Sequence, residues 1–114
     1  MPLSDHQQTQ AAELLGPLCH SPSLARVADK LRHGFRFQGN AVELFESRPA
    51  YEHPHHWVDY PVAKFRYVQS QRVWRLYCQF QDLKWRAYAP CFESPYLKRL
   101  VAEVEEDLTG IFWG

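Results

Sequence analysis

The spacing of apolar and polar residues changes period twice along this 114-residue chain. Between residues 5 and 18, Ala11, Leu14, Leu15 and Leu18 recur at helical spacing, and Gly16-Pro17 is expected to cut that run short. Ser21-Pro22 reads as a second helix start. The serine oxygen caps the first turn, and proline lacks only an N–H that has no partner there. Leu24, Val27, Ala28 and Leu31 form the apolar stripe of this helix, and Gly34 is its expected stop.

The period then shortens to two. After the turn signal Gln38-Gly39-Asn40, the run Ala41–Ser47 reads as a strand that Arg48-Pro49 ends. Residues 62–68, 72–80 and 83–89 are rich in Val, Phe, Tyr and Trp and alternate apolar with basic positions. The links Gln69-Ser70-Gln71 and Gln81-Asp82 are short enough for hairpins. Ser94-Pro95 repeats the cap-and-proline device. Leu97, Leu100, Val101, Val104 and Leu108 then mark a last amphipathic helix, with Gly110 at its cap position. Ile111, Phe112 and Trp113 are too apolar to trail in water and are expected to fold back onto the core.

These elements predict an α+β fold in one domain, residues 1–114. It is a four-stranded antiparallel β-meander (about 41–89) with helices packed on one face. The helices are the N-terminal pair (about 5–34) and a C-terminal one (about 95–108), followed by the FWG tail.

Successive strand side chains point to opposite faces. One face collects Ala63, Phe65 and Tyr67, then Trp74, Leu76, Cys78 and Phe80, then Leu83, Trp85 and Ala87, and is the expected core. The other collects Lys64, Arg66, Arg75, Tyr77, Lys84, Arg86 and Tyr88: five cations and two tyrosines on three neighbouring strands. The first strand puts either Glu43 or Glu46 beside them.

Charge adds weight to that face. The whole chain has zero formal net charge, so it has no bulk attraction for nucleic acid or an anionic membrane. Between Tyr60 and Pro90, however, six basic residues stand against one acid, and from Cys91 onward five acids stand against two bases. The three cysteines are odd in number and widely spaced, which is no disulfide framework. The N-terminus lacks the basic start and apolar run of a secretory signal. No stretch approaches the roughly 20 apolar residues of a membrane span. A cytoplasmic protein without membrane association is the expectation.

A cationic, tyrosine-bearing sheet face suits phosphates and stacked bases, because cations neutralise the backbone and rings give bases a platform. The plain alternative is a solvated face whose lysine and arginine stems cover the sheet. A second chemistry-bearing stretch is YEHPHHWVDYP, residues 51–61, with His53, His55 and His56 together. Zinc needs about four ligands in a tetrahedron. His53 and His55 flank a proline, and no CxxC or HExxH spacing completes a set. A polar loop bracketed by Pro49, Pro54 and Pro61 is the simpler reading. A ribonuclease would use a glutamate base, arginines for the phosphate and a histidine acid. Glu43 or Glu46, Arg66 or Arg75, and His55 or His56 are the right types. The chain has no GxGxxG, P-loop or GxSxG pattern, so no cofactor is expected.

The strings ESRP (46–49), VAKFRYV (62–68), VWRLYCQ (73–79), KWRAY (84–88) and IFWG (111–114) together resemble a family of small bacterial proteins defined only as a domain of unknown function. The likeness covers residues 36–114 and leaves the N-terminal helices largely outside. It implies a bacterial cytoplasmic protein and carries over no catalytic or binding residue. The function expected from the residues is non-enzymatic binding of single-stranded nucleic acid by the basic sheet face. An acidic protein partner or a second copy on the same face is the first alternative, and a small ribonuclease is the second.

Overall fold

A computed structural model describes residues 2–80 and 82–113. The chain is α+β, with a six-stranded antiparallel sheet and three helices. The elements run α1 (Asp5–Cys19), α2 (Pro22–Ala25), β1 (Arg32–Gln38), β2 (Ala41–Pro49), β3 (Trp57–Val68), β4 (Val73–Gln79), β5 (Trp85–Ala87), β6 (Glu93–Ser94) and α3 (Leu97–Glu106). The sheet order is β1-β2-β3-β4-β5, and β6 pairs with β4 below β5. The expected four strands are β2 to β5, and β1 and β6 extend the sheet.

α1 starts on a capping box in which the Ser4 hydroxyl accepts from Gln7 N–H and the Gln7 side-chain Oε1 accepts from Ser4 N–H. It runs through Gly16-Pro17 instead of stopping there. Proline deletes one backbone bond near the helix end, while Leu15 is fully buried and Leu18 packs on the core, so tertiary packing holds the last turn.

The second expected helix is one turn long. Ser21 caps it as expected, but by Arg32 the chain has entered β1, which contains Gly34. Gly34 does not stop a helix. It lies opposite Phe45 in the β1–β2 register, and a Cβ there would stand 2.7 Å from the Phe45 ring. The ring of the neighbouring strand covers the bare backbone of an edge-strand glycine. The β1–β2 turn is Gly39-Asn40, with Gly39 at φ 58, so the expected turn signal is a hairpin.

Along the core side, the register sets Phe35, Leu44, Ala63 and Cys78 in one row and Phe37, Val42, Phe65 and Leu76 in the next. α1 and α3 close over these rows, contributing Ala11 and Leu15, and Leu97, Leu100, Val101 and Val104. α3 begins at Leu97 without a side-chain cap, because Ser94 belongs to β6 and its hydroxyl accepts from Tyr96 N–H. Its C-cap is Asp107 at φ 47, and Gly110 lies in the turn beyond. The Asp107 carboxylate accepts from the backbone N–H groups of Phe112 and Trp113, and the Trp113 indole donates to the Val104 carbonyl. The apolar tail is thereby folded onto the core, where Phe112 is buried. No helix among the described residues is long and apolar enough to cross a membrane.

Candidate functional site

The sheet face away from α1 and α3 is organised by register. One row across it reads Gln38, Ala41, Arg66, Arg75 and Glu93, and the next reads Arg36, Glu43, Lys64, Tyr77 and Ala87. Five cation–ring contacts run across this face. Arg32 stacks over Trp57 at 4.0 Å, Arg36 over Phe45 at 4.6 Å and Arg75 over Phe92 at 5.4 Å. Arg66 lies 5.7 Å from the Tyr77 ring and Lys64 5.8 Å from the Trp85 ring. Such contacts hold long side chains flat against rings and leave their donors at the surface.

The carboxylates divide these cations into two groups. Arg36 pairs with Glu43 and Asp59, each at 3.5 Å, and Arg75 pairs with Glu93 at 3.1 Å. Among the described residues, Lys64 and Arg66 make no ion pair. Glu43 is opposite Lys64 in the register, but its carboxylate is taken by Arg36. Arg66 is directly opposite Arg75, so two guanidinium side chains share one cross-strand position. Like charges directly opposite are destabilising, and the Glu93 carboxylate on Arg75 reduces that repulsion here. The Arg66 Nε is buried without an acceptor. Lys64, Arg66, Tyr77 and Trp85 line a dent of about 150 Å³.

Of the sequence-predicted residues, Lys64, Arg66, Arg75 and Tyr77 come together on this face. Lys84, Arg86 and Tyr88 do not. Arg86 is opposite Cys78, on the core side, where its guanidinium lies over Phe80 and bonds Asp82. Tyr88 is buried against Phe112 at a ring separation of 4.8 Å. Lys84 sits in the turn, its N–H donating to the Asp82 carboxylate. Trp85 takes the open-face position instead. The cause is turn length. A two-residue link would set Phe80 opposite Leu83, but the register runs Gln79 opposite Trp85, with Leu83 at φ 62 in a longer loop. One residue of slip turns every β5 side chain over. The same flip exposes Leu83 and Ala87 and leaves Phe80 half-exposed, where a core position was expected.

Arg32, Arg36 and Phe45 also belong to the face, and nothing in the sequence reading pointed to them. The β1 pair was hidden because RHGFRFQ carries a glycine and follows an apolar helical stripe. Of Glu43 and Glu46, Glu43 is the one on this face. Glu46 faces the helix side, beside His33 at 3.6 Å and Arg48 at 3.1 Å.

The three histidines lie in a loop between β2 and β3, closed by Ala50 N–H to the His56 carbonyl and His56 N–H to the His53 carbonyl, whereas residues 57–61, expected in the loop, belong to β3, with Pro61 at the bulge opposite Phe45. His53 and His56 rings are 5.7 Å apart, and no group of three His, Cys, Asp or Glu among the described residues can hold a metal. The loop follows Pro49, about 20 Å along the strand from Glu43 at 3.3 Å per residue. Glu43, Arg66 and Arg75 therefore lie apart from His55 and His56, and Glu46 stands instead beside His33 and Arg48 on the helix side. All three cysteines are free, and burial pushes the Cys19 and Cys78 thiols up from their ordinary value, away from the reactive thiolate.

The model of a family described as Domain of unknown function (DUF3024) matches residues 3–114. The match takes in the N-terminal helices, which the string resemblance from residue 36 onward left out. No curated protein and no solved structure matches the chain.

Proposed function

The chain belongs to this family of unknown function, and we propose that it binds single-stranded nucleic acid across the open face of its sheet. The supporting observation is the pair Lys64 and Arg66: cations without a carboxylate, on the central strand β3, beside the rings of Tyr77 and Trp85. Of the other cations of the face, Arg32 makes no ion pair among the described residues but donates to the Ala28 carbonyl and stacks on Trp57. Arg36 and Arg75 are neutralised, and Arg75 is further tied to Gln71.

Arg66 stands opposite Arg75, whose charge Glu93 balances, so Arg66 is the guanidinium of the pair left for a bound phosphate. Rings next to uncompensated cations suit a nucleotide unit, its phosphate on the cations and its base on a ring. The contact is small, so affinity is modest and depends on salt.

Fluorescence anisotropy of a labelled RNA 16-mer over a salt series tests the reading. Two phosphates neutralised on a single strand give a log–log slope of about −1.4, and a gel of the same samples shows intact RNA. A flat salt response, or no binding at low salt, removes the nucleic-acid reading and turns the face toward an acidic protein or a second copy.

A further inference from the structure

A second cleft lies at one end of this face, next to the stacked side chains. It measures about 520 Å³ and opens between the N-terminal segment, the Asn40 turn and the turn joining β3 to β4. Arg66, Arg72, Asn40, Gln69, Gln7 and Ser4 give it its polar lining, and no carboxylate lines it. Its walls are fixed by the backbone. Leu3 N–H donates to the Gly39 carbonyl, Tyr67 N–H to the Asn40 carbonyl and the Asn40 amide back to the Tyr67 carbonyl. Helix α1 is already capped at this end by its own Ser4 and Gln7, so the positive charge of the cleft comes from the two arginines.

Arg66 lines both this cleft and the dent formed by Lys64, Tyr77 and Trp85. Arg72 is exposed on the turn and makes no ion pair among the described residues. A strand lying across the dent therefore reaches the cleft through Arg66. An internal phosphodiester carries one negative charge, whereas a terminal phosphate monoester carries about −1.5 to −2 near neutral pH. Two arginines in a carboxylate-free recess favour the second.

We propose that this cleft receives a terminal phosphate of the bound strand, held by Arg66 and Arg72. The inference rests on the sheet-face reading and adds an end preference to it.

The test uses three RNA 12-mers of one sequence, ending in a 5′-phosphate, a 3′-phosphate or hydroxyls only, titrated against the whole protein. One phosphorylated form is expected to bind about tenfold tighter than the hydroxyl-ended RNA, the equivalent of one charge-assisted contact. Arg72→Asn should erase the difference between phosphorylated and hydroxyl-ended RNA. Asparagine tolerates the left-handed backbone at position 72 (φ 55), so the variant keeps the turn, and an unchanged melting curve verifies this. Equal binding of all three RNAs overturns the end preference and leaves the sheet-face reading standing. No binding by any of them overturns both. A nucleoside monophosphate that competes as well as the phosphorylated 12-mer overturns the strand-end assignment, because the cleft would then serve a free nucleotide.

Discussion

Leu76 and Tyr77 are neighbours on β4 and face two different environments. Leu76 has no exposed surface and sits under α3 among Phe65, Val42 and Leu100. Tyr77 stands on the opposite side with its edge against Phe92 at 5.6 Å, between Arg66 and Lys64. The first side is the apolar core, in which the Tyr88 hydroxyl and one Glu103 carboxylate oxygen are also buried without a partner. On the second, rings and cations are packed with a like-charge pair and a guanidinium nitrogen that has no acceptor. The difference that supports the binding proposal is the placing of Lys64 and Arg66 beside the rings of Tyr77 and Trp85.

The sharpest division of the two sides is by truncation. Leu76→Ala is expected to cost about 2–5 kcal/mol in urea unfolding and to leave RNA affinity intact at temperatures where the variant is folded. Tyr77→Ala should cost only about 0.5–1.5 kcal/mol of stability, the worth of one ring pair, but about 1–3 kcal/mol of RNA binding. Equal losses of binding in both variants would erase the distinction.

The corrected facing of β5 gives the next effect. Trp85→Ala should weaken RNA binding by about 1–3 kcal/mol, the loss of one stacking platform. Lys84→Gln and Arg86→Gln should leave affinity within twofold. If the two cations matter and the tryptophan does not, the β5 register is wrong.

A smaller effect concerns the β4–β5 turn. The Arg86 guanidinium, followed by the Lys84 N–H, holds the Asp82 carboxyl below the usual carboxylate range. The link it forms is complete above the ordinary value of about 3.9 and is lost as pH falls through the lower folded value. The amide proton resonance of Lys84 should report that loss only in strong acid, and Asp82→Asn should abolish the step. A step near the ordinary carboxylate value would show that Arg86 does not hold the turn.

Much of the fold was legible because β3, β4 and α3 carry patterns with one clear period. VAKFRYV and VWRLYCQ alternate without a break, and Leu97, Leu100, Val101 and Val104 repeat at helical spacing. β1 was not legible. Its glycine reads as a helix stop until the Phe45 ring that covers it is known, and that ring comes from another strand. β6 is two residues long and exists only because β4 offers Trp74 and Arg75 as partners. The candidate site was legible on β3 and β4, which gave Lys64, Arg66, Arg75 and Tyr77. It failed on β5, where facing depends on the parity of a turn rather than on the alternation of the strand. The ion pairs that separate Arg66 from Arg75 were also out of reach, because Glu93 arrives from beyond a 3₁₀ turn at Ala89–Cys91.

The central claim is that Arg66 is kept for a ligand and not for the fold, and Arg66→Gln tests it in one sample. Melting and RNA titration at several salt concentrations are read side by side. The account predicts a variant as stable as the parent or more stable by about 0.2–1 kcal/mol, through relief of the like-charge pair. It also predicts weaker RNA binding, with the salt slope shallower by about 0.7, one phosphate contact on a single strand. A variant that loses stability while its RNA affinity and salt slope stay unchanged would contradict the claim and make Arg66 a structural residue.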